Sequence, residues 1–165
     1  MNFPSHDQDS APEASKPLLA ESQKAFGRLP GLHDFDAEEL TVVWQSINVE
    51  NECHYCVPAH TGIAKMMKVS DEISDALRNE TALPTPKLEA LRTFTVQMVR
   101  NRGFVSDEQM KTFFDAGYSH RAVLDVILGM AQKTISNYVN HVAETPVDEV
   151  FQPLAWKRGD NKLDV

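Results

Sequence analysis

The 165-residue chain is predicted to be all-α, a bundle of about seven helices. Three observations carry the prediction. Apolar residues recur at three- and four-residue intervals along most of the chain, with little strand-like alternation. Ser, Thr or Asp precedes most of these periodic runs, where a helix N-cap belongs, and Gly or Pro falls at several of the breaks. The length suits one domain with a core of its own, needing no disulfide or metal staple.

The elements follow in order. Residues 1–13 are polar, contain Ser and Pro, and lack periodicity, so a disordered tail is expected there, with one helical domain over 14–165. Leu18, Leu19, Ser22 and Phe26 mark a first helical face, stopped by Gly27 and Pro30. Asp36 caps a second helix whose inward stripe is Leu40, Val43, Trp44 and Ile47. The third carries the cysteines. Pro58 has no N–H to bond four residues back and is tolerated only in an opening turn, so this helix is expected to begin near Cys53 or His54 and to run to about Met66–Met67. Ser70 opens a short fourth helix through Leu77. Thr85-Pro86 opens a fifth, with Leu88, Leu91, Phe94, Met98 and Val99 inward and Gly103 as its stop. Ser106 opens a sixth that ends at Gly117. Ser119 caps a long seventh, where Val123, Val126, Ile127, Met130, Thr134, Ile135, Tyr138 and Val142 are read as its inward stripe.

Composition narrows the function classes. With 24 acidic against 16 basic residues the formal charge is -8, and no basic patch is visible, so nucleic-acid binding is not expected. Apolar runs of about five residues fall far short of the roughly 20 a membrane span needs. No basic segment followed by an apolar one opens the chain, so a cytoplasmic protein is expected. Thiols there are kept reduced, and a close cysteine pair points to catalysis or metal binding more than to a structural bridge.

The only two cysteines are Cys53 and Cys56, in the stretch ENECHYCVPAHTG, with His60 four residues further on. On a helix these three share one face. Cysteine beside the free N–H groups of a helix start favours thiolate, the nucleophilic form, and a second cysteine within reach can close a disulfide. His60 is placed to handle the proton. Two other readings stay open on residues alone. The cysteines can be core hydrophobes, or half of a zinc site completed by a distant His120 or His141. The dipole favours Cys53 as the hotter sulfur; proximity to His60 favours Cys56.

The motif ECHYCVPAH resembles the CxxCxxxH core of the carboxymuconolactone decarboxylase superfamily, in its alkylhydroperoxidase (AhpD-like) branch. EELTVVWQSINVENECHYCVPAHTGIA, LRTFTVQMVRNRG and VILGMAQKTISNYVNHVAETPVDEVF extend the resemblance over about Phe35 to Trp156. It implies an all-α fold around a helical hairpin, assembly as a trimer or hexamer, and peroxide reduction by thiols without metal or organic cofactor. Cys56 would attack the hydroperoxide, Cys53 would resolve the sulfenic acid, His60 would relay protons, and a lipoyl or thioredoxin-like dithiol donor would restore the pair. The family's relay glutamate falls here on Thr41, and Glu39 points about 200° away on a helix. Glu50 is therefore the candidate carboxylate, and Tyr55 stands where some members carry histidine. A decarboxylase-branch enzyme acting on a small lactone, and a redox-sensing oligomer without turnover, are the competing functions.

Overall fold

Hydroxyl and carboxylate caps set the helix starts. Asp36, Ser70, Thr85, Ser106 and Ser119 each accept a backbone N–H from the first turn that follows, and Asp36–Glu39 and Ser106–Gln109 close full capping boxes. In the computed structural model the helices are α1 (Ala37–Glu50), α2 (Cys56–Met66), α3 (Asp71–Asn79), α4 (Pro86–Arg100), α5 (Asp107–Asp115) and α6 (His120–Ala143), then a 3₁₀ helix, Glu149–Leu154. No strand occurs among the described residues, which are Glu13, Lys16 and 35–159. The chain divides into two compact units, Met1–Gly31 and Leu32–Val165. Within the first, Lys16 Nζ pairs with Glu13 Oε1 at 2.6 Å. The tail expected over 1–13 (Glu13 apart) and the helix expected around Leu18–Phe26 lie outside the described residues.

In the second unit α1 is central and packs against α2, α3, α4 and α6. Val42, Val43 and Ile47 are fully buried at its contacts, with Ile73 and Leu77 from α3 and Leu88, Leu91, Phe94 and Met98 from α4. Phe94 stacks on Phe113 at 4.1 Å, and Phe113 on Tyr118 at 4.6 Å, tying α5 to this core. Such pairs add about 0.5–1.5 kcal/mol each beyond burial. No helix among the described residues is long and apolar enough to cross a membrane.

The long helix α6 corrects the expected stripe. Val126 is buried, but Ile127, Ile135, Tyr138 and Val142 are exposed, together with Leu124 and Val139. The inward face carries Ala122, Asp125, Gly129, Lys133 and Asn137 instead. The reason is close approach: a Cβ built on Gly129 would stand 2.8 Å from Val43 Cγ1, so α6 rests on α1 through a position without a side chain. Small and polar residues line that seam beside Val126, and six large apolar ones are turned outward.

Candidate active site

The cysteine helix starts one turn later than expected, at Cys56. Pro58 supplies no N–H to the His54 carbonyl, so the ladder becomes continuous only beyond that point. The preceding turn is fixed by the end of α1. Glu52 takes a left-handed conformation (φ 52°), Glu52 N donates to the Val49 carbonyl, and Cys53 N donates to that of Asn48 at 2.9 Å. These are the paired bonds of a Schellman motif. Cys53 is thereby locked to α1 while Cys56 occupies the first position of α2, at the positive dipole end of that helix.

Both cysteines are reduced and buried. The Cys56 backbone N–H donates to Cys53 Sγ at 3.3 Å, and Asn140 Nδ2 donates to Cys56 Sγ at 3.2 Å. Ser136 Oγ lies 4.0 Å from the same sulfur. The Cys56 thiol is lowered to about 5, first by the hydrogen bond from the Cys53 thiol, then against burial by the Lys133 charge and the amides of Asn140 and Asn137. Cys53 is driven the other way, because its S–H is engaged by Cys56 and it is desolvated. The pair therefore holds one negative charge, on Cys56.

Lys133, only 6 % exposed, is the residue that sequence reasoning missed. Its Nζ stands 2.6 Å from His60 Nε2. While Lys133 is an ammonium it can only donate, so in that state Nε2 is the acceptor and the imidazole proton sits on Nδ1. Burial and the Lys133 charge hold His60 well below its ordinary value, hence neutral. Burial lowers Lys133 too, while the two thiols oppose that shift. Trp44 meets the His60 ring edge-on at 5.3 Å, and its indole N–H has no hydrogen-bond partner among the described residues.

Beneath the thiols lies a buried polar network. Asn137 Nδ2 donates to Asn48 Oδ1 (2.9 Å), Asn48 Nδ2 to Gln45 Oε1 (3.0 Å), and Gln45 Nε2 to the Val57 carbonyl and Thr61 Oγ1 (3.1 Å each). Asn51 Nδ2 donates to Asn137 Oδ1 at 2.9 Å. Gln45, Asn48 and Asn137 are fully buried, and this chain of amides fixes α6 and α1 against the opening turn of α2. On the outer side, Tyr55 OH donates to Asp148 Oδ2 (2.8 Å) and His54 Nε2 reaches the Thr145 carbonyl (3.0 Å), so the residues between the cysteines are strapped to the segment after α6.

Of the sequence candidates, Cys53 and Cys56 come together directly, and His60 contacts Lys133, whose charge interacts with both sulfurs. Glu50 does not join them. Its carboxylate makes a two-pronged bond to Arg100 (2.8 and 2.9 Å), with Arg158 at 3.6 Å. It lines a cleft of about 300 Å³ between α1, α3 and α4, whose walls include neither thiol nor His60. Thr41 donates its hydroxyl to the Ala37 carbonyl at 2.8 Å, and Glu39 serves as cap and partner of Lys87. His120 lies against Phe114, and His141 lies beside His54 and Tyr138. Among the described residues no three His, Cys, Asp or Glu side chains gather as metal ligands.

The fold and the site together define an all-helical scaffold with two reduced, buried cysteines, one in the turn before a helix and one at that helix's first position. No family model and no curated protein matches the chain. Solved structures do. One, described as an alkylhydroperoxidase AhpD core and uncharacterized peroxidase-related protein from Ralstonia eutropha JMP134, superposes with a TM-score of 0.68 at 18% identity, covering 91% of this chain and 93% of the other. Another, an uncharacterized peroxidase-related protein from Silicibacter sp. TM1040, gives 0.63 at 16% identity over 84% and 72%. The chain has the AhpD-like fold that the sequence resemblance implied; at these identities the likeness speaks for the fold.

Proposed function

We propose that the protein reduces hydroperoxides with the Cys53–Cys56 pair, Cys56 attacking and Cys53 resolving. The observation that carries this reading is the environment of Cys56 Sγ: the Cys53 thiol beside it, a buried lysine and an amide donor at 3.2 Å favour thiolate at neutral pH. The thiolate attacks one peroxide oxygen and becomes a sulfenic acid; Cys53, held alongside, displaces water and closes a disulfide. A small dithiol carrier of the lipoyl or thioredoxin-like kind returns the pair to thiols, in a reducing compartment such as the cytoplasm. The exposed apolar face of α6 (Leu124, Ile127, Ile135, Tyr138, Val139, Val142) supports assembly of copies, as expected for a homo-oligomer.

The test is a thiol count. The reduced protein is expected to titrate two thiols, lose both to one equivalent of tert-butyl hydroperoxide, and regain both with a dithiol. Steady peroxide consumption should follow when donor is in excess. Thiols that survive peroxide would remove this reading and leave the lactone-directed alternative; oxidation without turnover would favour the sensing oligomer.

A further inference from the structure

A carboxylate is the usual partner for an imidazole that handles protons, yet the partner of His60 here is the ammonium of Lys133. A buried ammonium is tolerated only while something compensates it, and the compensating charge in this site is the Cys56 thiolate. One N–H of Lys133 is engaged by His60 Nε2; the other two have no hydrogen-bond partner among the described residues. Peroxide attack removes the thiolate charge and, in the same step, creates an oxyanion on the leaving oxygen. We infer that Lys133 is the acid of this site: it protonates the leaving oxygen, and this fits the enzyme to hydroperoxides, whose leaving groups are hydroxide or alkoxide.

The inference rests on the peroxidase reading above, and its atoms balance. The Cys56 thiolate forms an S–O bond to the distal oxygen of ROOH as the O–O bond breaks; sulfur is oxidised and the peroxide reduced. The peroxide's own proton stays on the sulfenic acid, and the alkoxide takes a proton from Lys133, giving ROH and a neutral amine. The amine then takes the proton of the Cys53 thiol. That thiolate attacks the sulfenic sulfur, an S–S bond forms, and the departing hydroxide recovers the proton from Lys133 as water. The oxidised site is left with a neutral disulfide and a neutral lysine, so no charge is stranded in the interior. When the dithiol donor supplies two electrons and two protons, one proton goes to Cys53 and one to Lys133, restoring the ion pair with Cys56.

A peracid tests this, because its carboxylate leaving group needs no proton. Single-turnover rates of the reduced protein with tert-butyl hydroperoxide and with peracetic acid are measured for the native chain and for Lys133→Met. Loss of thiolate slows both reagents equally, so it cancels in their ratio. The proposal expects the hydroperoxide-to-peracid ratio to fall a further 10²-fold or so in Lys133→Met, the usual worth of a positioned acid. Lys133→Arg, which keeps the charge and cannot release the proton, should show the same fall with Cys56 alkylation unchanged. In the native chain, which needs no variant to fold, deuterium oxide should slow the hydroperoxide more than the peracid. An unchanged ratio in the variants, or equal isotope effects, would overturn the acid role and leave the peroxidase reading intact. A native chain inert to both reagents would remove both.

Discussion

Cys56→Ser is expected to abolish the reaction with peroxide, by on the order of 10³-fold or more, whereas Cys53→Ser should still react once and stop at a trapped sulfenic acid. The asymmetry follows from where each sulfur sits. Cys56 opens α2, receives Asn140 and shares the interior with Lys133; Cys53 closes the Schellman turn of α1 and has its proton engaged by its neighbour. A thiol so held is a poor nucleophile until Cys56 loses its negative charge, which is when a resolving cysteine is required to act. A sulfenate-specific reagent reports the outcome by mass. Label on Cys56 in the Cys53→Ser protein supports the assignment; label confined to the Cys56→Ser protein would reverse the two roles.

Asn137→Ala should cost about 2–4 kcal/mol. The side chain is fully buried and bonds in both directions, donating to Asn48 and accepting from Asn51. Its removal leaves a buried amide oxygen without a donor and opens space between α6 and α1. For a chain of this length the melting temperature should fall by about 5–15 °C. Asn140→Ala is the control. Asn140 is half-buried and touches the Cys56 sulfur, so its loss should raise the thiolate pKa while hardly moving the melting temperature. Equal melting temperatures for native and Asn137→Ala protein would mean that the amide network does not hold the helices in place.

The fold was readable from the chain because its signals are local. A hydroxyl ahead of a periodic run, Pro86 at the first helical position, and Gly103 and Gly117 in left-handed turns each act within a few residues. The start of α2 was one turn off for an equally local reason: Pro58 permits several opening positions, and the Schellman turn at Glu52 left the start at Cys56, later than either Cys53 or His54. The inward face of α6 was not readable by hydrophobicity. That helix has two stripes at the same period, one of large apolar residues and one of small and polar ones, and the second faces the core because Gly129 lets the backbone approach α1. A lysine and an asparagine at positions 133 and 137, in step with Gly129 and Val126, were the available signal. The cysteine pair and His60 were found because their spacing is a motif; Lys133, Asn137 and Asn140 come from about 80 residues away and only the packing of α6 delivers them. Glu50 was reached by elimination, and Arg100 takes up its carboxylate.

The Cys56 shift also sets the sign of a pH effect. A thiol whose folded pKa is depressed contributes stability in full above its unfolded value, about 8.5, and loses it as the pH falls toward the folded value of about 5. His60, half-buried and held neutral by desolvation and the Lys133 charge, costs the fold further stability below about pH 6.5. The reduced protein should therefore weaken on acidification from pH 8.5 to 5.

The most direct test is the pH dependence of alkylation of Cys56 in reduced Cys53→Ser protein, where the serine hydroxyl preserves a donor to the thiolate. The rate should be half-maximal between about pH 5 and 6, some three units below an ordinary thiol. A half-maximal rate near pH 8.5 would contradict the central claim, that this buried site keeps Cys56 as a thiolate ready to attack.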